Sequence, residues 1–183
     1  MIVTKTKLEG ALVFEPKVFG DDRGFFMETW NYERYRDAGL DVKFVQSNLS
    51  KSSKGVLRGL HFQNPKPQGK LVQILVGEVY DVAVDIRKGS PTFGQWHAEY
   101  LSADNHKQFY IPEGFAHGFC VTSEFAIFSY MCTNLYDAAA DNSILWNDPK
   151  IGIKWPVTDP ALSDKDKNAL TLDTINPDKL PVY

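Results

Sequence analysis

Short apolar blocks rich in Val, Ile, Phe and Tyr recur along most of this chain, separated by Gly, Pro, Asn and Asp. That rhythm is the mark of many short strands joined by turns, an all-β sandwich or barrel. The spacing predicts strands at Ala11–Val18, Phe25–Thr29, Phe44–Lys51, Gly55–Gln63, Lys70–Val76, Glu78–Ile86, Trp96–Leu101, Gln108–Ile111, Ala116–Thr122 and Glu124–Thr133. Helical spacing is scarce. Asn31–Ala38 reads as a short helix with Asn31 as its N-cap and Gly39 as its stop, and Ser163–Leu170 as another capped by Ser163. No repeat or Ser/Gly linker divides the chain, so residues 1–183 are expected to form one domain, with the Pro-containing C-terminal tail extended over the core.

Composition sharpens this picture in a few places. Aromatic residues reach 13%, which favours a β-rich core with flat walls on which a ring could stack. A net charge of -3 and the lack of any Lys/Arg-rich run argue against a nucleic acid polymer as partner, while local cations leave room for a small phosphorylated ligand. Met1–Gly10 lacks the apolar segment of a signal peptide, and no apolar stretch nears the ~20 residues that span a bilayer. The expectation is a cytoplasmic protein without membrane contact. Cys120 and Cys132 sit in apolar surroundings and are expected as free buried thiols.

Two of the four histidines stand where strands meet Gly-rich corners: His61 in Gly55-Val-Leu-Arg-Gly-Leu-His-Phe-Gln63 and His117 in Ile111-Pro-Glu-Gly-Phe-Ala-His117. His97 and His106 read as surface or turn residues. The spacing of Pro112, Gly114 and His117 matches the second cupin motif, in which Pro and Gly bend the chain so that His enters a barrel. The first cupin motif would add an H-x-H pair and a Glu, but Leu60-His-Phe-Gln-Asn64 and Gly69-Lys-Leu-Val-Gln73 stand there instead. Two imidazoles without a third ligand hold a divalent ion poorly, and Lys70 would repel it, so a metal cupin is disfavoured. Arg58 and His61 are separated by an odd number of residues, which a regular strand would point to opposite faces. A bulge at Gly59 is therefore predicted.

Gly20-Asp-Asp-Arg-Gly-Phe-Phe26, Gln46-Ser-Asn48, the Gly55–Gln63 run, Gln68-Gly-Lys70, Gly77-Glu-Val-Tyr-Asp-Val-Ala-Val-Asp-Ile-Arg87 and the His117 segment together resemble the dTDP-4-dehydrorhamnose 3,5-epimerase family. With Trp146-Asn-Asp-Pro149 and Leu162-Ser-Asp-Lys-Asp166 the resemblance covers nearly the whole chain. It implies a double-stranded β-helix, or cupin-like jelly roll, with short peripheral helices and no cofactor. It also implies conversion of dTDP-4-dehydro-6-deoxy-D-glucose into dTDP-4-dehydro-L-rhamnose, by proton transfer at the two carbons beside the C4 ketone.

By that resemblance His61 is the base, Asp166 the carboxylate that holds its ring, Lys70 the cation near O4 and Tyr130 the proton donor on the opposite face. An imidazole, with an ordinary pKa of ~6.5, suits proton removal at neutral pH. Arg23, Glu28, Gln46, Asn48, Arg58, His117, Asp141 and Lys165 match substrate-binding positions, and Tyr136 the aromatic that stacks on thymine. Some of these groups come from a neighbouring subunit in the family, so a homodimer is implied. Read without the family, Tyr130 is a core tyrosine, Lys70 and Arg23 are solvated charges, and the spacing of Ser163 and Asp166 is that of a capping box. The loop Asp137-Ala-Ala-Ala-Asp-Asn142 departs from the family's more acidic, glycine-containing stretch, with Asn142 expected to supply the left-handed conformation. Two rival functions remain: an epimerase of one carbon only, and a silent sugar-nucleotide-binding module.

Overall fold

The computed structural model describes residues 1–183 and is built almost entirely of antiparallel strands. In chain order these are β1 (Ile2–Lys5), β2 (Leu12–Glu15), β3 (Val18–Asp21), β4 (Gly24–Met27), β5 (Gln46–Ser53), β6 (Leu57–Gln63), β7 (Lys70–Val76), β8 (Glu78–Asp85), β9 (Trp96–Ser102), β10 (Gln108–Ile111), β11 (Phe115–Val121), β12 (Phe125–Cys132) and β13 (Asp141–Ser143). Helices α1 (Tyr32–Asp37) and α2 (Asp164–Lys167) and a 3-10 turn at Pro177–Lys179 complete it. None of the helices is long and apolar enough to cross a membrane.

A six-stranded sheet in the order β1-β2-β10-β7-β12-β5 faces a five-stranded sheet in the order β13-β6-β11-β8-β9, the two-walled arrangement of a jelly roll. Apolar side chains from both inner faces, among them Val72, Val79, Phe109, Phe119 and Phe128, fill the space between the sheets. The outer face of the five-stranded sheet is covered by the C-terminal segment, whose Ile151, Leu172, Ile175 and Leu180 pack on Phe62, Val82 and Val84. Strand β8 is thus buried on both faces, which is why its apolar residues run together instead of alternating. Helix α1 sends Tyr35 against Phe14 on the outer face of the other sheet.

Several differences from expectation have local causes. Pro16 has no N–H for a ladder, so the predicted Ala11–Val18 strand stops at Glu15, and β3 leaves the sheet to pair only with β4. Strands β1 and β13 were not predicted, because one is an exposed edge strand and the other is polar throughout. Asn142 is extended within β13, so it does not supply a left-handed corner. Helix α2 is shorter than Ser163–Leu170 because Leu170 is drawn into a bridge with Ile144. The tail forms turns and the 3-10 segment on its way across the core. His97 is a half-buried strand residue, bonded to Glu99 at 2.9 Å, and not a turn residue; His106 does occupy a turn. Both cysteines are free and buried.

Candidate active site

Strands β6 and β11 build one wall of the site. His61 and His117 are register partners, and two residues of β6, Gly59 and Leu60, then oppose one of β11, Gly118, before Arg58 meets Phe119. This is the bulge predicted at Gly59, and it lets Arg58 and His61 line the same cavity. The two strands approach so closely here that a Cβ on Gly59 would lie 2.5 Å from Gly118 Cα. Gly59 also holds φ +133, a conformation that side chains rarely adopt.

His61 Nε2 lies 2.6 Å from Asp166 Oδ1. An ionised carboxylate only accepts, so Nε2 carries the hydrogen and Nδ1 keeps a free lone pair. Burial works to raise the Asp166 pKa, but hydrogen bonds from His61, Ser163 and the Gly59 N–H hold it below the usual carboxylate range. Ser163 caps the helix, its Oγ accepting from the Asp166 N–H at 3.2 Å, so the backbone of Asp166 meets the cap while its carboxylate meets His61. His117 has a carboxylate of its own: Nε2 sits 3.0 and 3.1 Å from the two oxygens of fully buried Asp81. Burial pushes the His117 imidazole below its ordinary pKa in spite of Asp81.

The facing wall comes from β7, β12 and β5. Lys70, at the start of β7, and Tyr130, in register with Val72 on β12, share with His61, His117, Arg58, Ser50, Phe119 and Phe128 a cavity of about 200 Å³. Phe119 and Phe128 stack with centroids 4.1 Å apart and give it an apolar floor. Burial lowers the Lys70 pKa, with Cys132, Asp81 and Asp141 pulling it back. Burial raises that of Tyr130, which keeps its hydroxyl protonated. A second hollow of about 340 Å³ opens on the other side of His61, lined by Arg58, Ser163, Lys165 and Asp166 among others.

At the rim, Gln46 Oε1 accepts from the Tyr136 N–H at 2.8 Å and its amide donates to Asn48 at 2.9 Å. The exposed ring of Tyr136 ends in a hydroxyl 3.2 Å from Asp141, which pairs with Lys165 at 2.5 Å. Arg23 and Glu28 lie elsewhere. Arg23 tips the β3–β4 hairpin, almost fully exposed and bonded only to Asp21, while Glu28 pairs with Arg34. Neither lines the cavity of its own chain. Sequence reasoning overlooked Asp81, although a signal existed: alternation puts it on the inward face of β8 with Val79 and Ala83, where a carboxylate has no place without a partner. His61, His117, Asp81 and Asp166 remain two separate pairs, and no three His, Cys, Asp or Glu side chains converge as a metal-ligand set.

A free imidazole lone pair on one wall, a half-buried phenol on the other and an ammonium beside them make a site for taking a proton from one side of a bound molecule and returning it from the other. Fold and site together define a cupin-type isomerase that works by acid–base chemistry. The model of the family described as dTDP-4-dehydrorhamnose 3,5-epimerase matches residues 5–174. The dTDP-4-dehydrorhamnose 3,5-epimerase of Shigella flexneri is 59% identical over 92% of this chain and 94% of its own length, and that of Salmonella typhimurium is 58% identical over 94% and 96%. The crystal structure of the Legionella pneumophila dTDP-6-deoxy-D-glucose-3,5-epimerase, in complex with dTDP-4-keto-L-rhamnose, superimposes with a TM-score of 0.96 at 49% identity, covering 100% of this chain and 98% of that one. The chain belongs to the dTDP-4-dehydrorhamnose 3,5-epimerase family.

Proposed function

We propose that this protein inverts C3 and C5 of dTDP-4-dehydro-6-deoxy-D-glucose to give dTDP-4-dehydro-L-rhamnose, a step of dTDP-L-rhamnose biosynthesis. The observation that carries this reading is the opposition of His61 and Tyr130 across one small cavity that also holds Lys70. His61 Nδ1 takes the proton from a carbon beside the ketone, and the C–H electron pair becomes the enolate π bond while negative charge moves to O4. Asp166 stabilises the imidazolium that results. Lys70 faces the charge on O4, and in so enclosed a cavity a fixed cation lowers the barrier by about 3–4 kcal/mol, the scale of an oxyanion-hole donor. Tyr130 then gives its proton to the opposite face of the same carbon, and the configuration inverts. His61 then releases its proton to water and Tyr130 regains one from water, and the same transfer at the second carbon completes the reaction.

In this reading Arg58 and His117 hold the diphosphate and sugar, Gln46, Asn48, Asp141 and Lys165 line the approach, and Tyr136 offers its face to the thymine. Arginine suits a diphosphate because its planar fork bonds two oxygens at once. Arg23 and Glu28 serve a neighbouring subunit, so the working form is a cytoplasmic homodimer in which each chain acts as one epimerase domain. The exposed Phe25 and Phe26 beside Arg23 support this, since an aromatic hairpin that touches little of its own chain is suited to another's surface.

Proton NMR of the substrate in deuterated water tests the reading, with His61→Asn alongside. Deuterium is expected at both C3 and C5 with the wild-type protein and at neither with the variant. Label at a single carbon would reassign the protein as a one-carbon epimerase, and binding without any exchange would leave only the silent sugar-nucleotide-binding module.

A further inference from the structure

Asp166 rides on a helix of four residues, of which it alone is buried. A helix this short has no stability of its own, so neighbouring contacts must set where α2 lies. Ahead of it, Ala161 bridges to Val56, and behind it Leu170 bridges to Ile144. On its flank one ion pair ties it to the barrel: Lys165 Nζ meets Asp141 Oδ2 at 2.5 Å. Asp141 opens β13, and Ser143 of that strand is the register partner of His61. The two halves of the Asp166–His61 contact are thus joined by a second route, from α2 through Lys165 and Asp141 into the strand beside His61.

We infer that Asp141 and Lys165 are positioning residues, a latch that holds α2 against β13 and so fixes the Asp166 carboxylate on His61. The inference rests on the reading of His61 as the base. It gives the pair a role beyond lining the substrate's approach, and the two roles predict different kinetics. A pair that only touches substrate moves KM, whereas a latch moves kcat and the pH dependence of kcat.

The test compares Asp141→Asn, Lys165→Met and Lys165→Arg at saturating substrate across pH. Loss of the latch is expected to lower kcat roughly ten- to a hundredfold in the first two, the scale of a small misplacement of a catalytic group. Both should also move the ascending limb of the kcat profile to lower pH, because an imidazolium that loses its carboxylate gives up its proton more easily. For Lys165→Met this opposes the direct effect of deleting a cation, which would move the limb upward. Arg58, His117, Lys70 and Tyr130, which also line the cavity with His61, are unchanged in every variant. Lys165→Arg keeps the pair and should restore both quantities.

A rise in KM alone, or an upward limb in Lys165→Met, would overturn the latch. His61→Asn in the same assay separates the two ideas. If it is disabled by about a hundredfold or more while the latch variants keep normal kcat, the latch alone falls. If it stays active, the reading of His61 falls first and takes the latch with it.

Discussion

The cavity strips much of the water from the half-buried Lys70 side chain, which disfavours its charged form. Burial lowers its pKa, so between that lowered value and the ordinary lysine pKa the unfolded chain binds more protons than the folded one, and carrying the ammonium into the cavity costs stability. Lys70→Met is expected to abolish most exchange, by about 10²–10³ in kcat, while raising the melting temperature by about 2–4 °C. Exchange assays and thermal denaturation check both; a variant both inactive and less stable would mean that the ammonium holds the cavity together. His117 and the depressed carboxylates, Asp85, Glu99 and Asp166 among them, shape the response to acid. His117 has a folded-state pKa below its unfolded value, so its contribution is lost as pH falls below ~6.5. Asp166 is also depressed, and its contribution persists above the ordinary aspartate pKa and disappears as pH falls through the folded value. Melting temperature should therefore decline in two stages between pH 8 and 3, and His117→Gln should flatten only the first. An unchanged first stage in that variant would assign it to another group.

At the scale of elements, the β6 bulge decides whether the site exists. Without the extra residue Arg58 and His61 would turn to opposite sides of the sheet, one of them into the apolar layer beneath the C-terminal segment. The bulge depends on glycine at position 59, where the facing strand leaves no room for a side chain and φ is positive. Gly59→Ala is expected to destabilise the protein by about 3 kcal/mol or more, the range of strained and overpacked sites. Gly55→Ala, where φ is also positive but no atom lies within 4 Å of the added Cβ, should cost much less. Denaturant midpoints compare the two, and equal losses would show that close strand approach is not the cause. The short α2 is a second element whose position, more than its length, matters for chemistry.

At the scale of the molecule, the β3–β4 hairpin stands away from the sheets with Phe25 63% and Phe26 69% exposed, and Arg23 at its tip. If that tip completes a neighbour's site, two defective chains can repair one another. His61→Asn supplies an intact hairpin and Arg23→Glu an intact cavity, so co-expressed chains should form mixed dimers with one working site of two. Exchange activity well above the sum of the separate variants is expected, with sedimentation showing a dimer. Activity no greater than that sum would mean that each hairpin serves its own chain or none.

The chain's local pattern was enough to reveal the strand-rich class, both helix caps, the pairing of His61 and His117 with Gly-rich corners, and the odd spacing that demanded a bulge. Each is a property of neighbouring residues: side-chain alternation, turn chemistry and hydrogen bonding within a few positions determine it. The resemblance of the longer runs supplied Asp166 and Tyr130, which local pattern alone reads as a cap and a core residue. Only the tertiary structure decided that Asp81 backs His117 from across the strand, that Lys165 reaches Asp141 from 24 residues away, and that Arg23 lies outside its own cavity. Those contacts depend on how two sheets and a short helix meet, and the period of a single segment carries no information about which distant residue will face it.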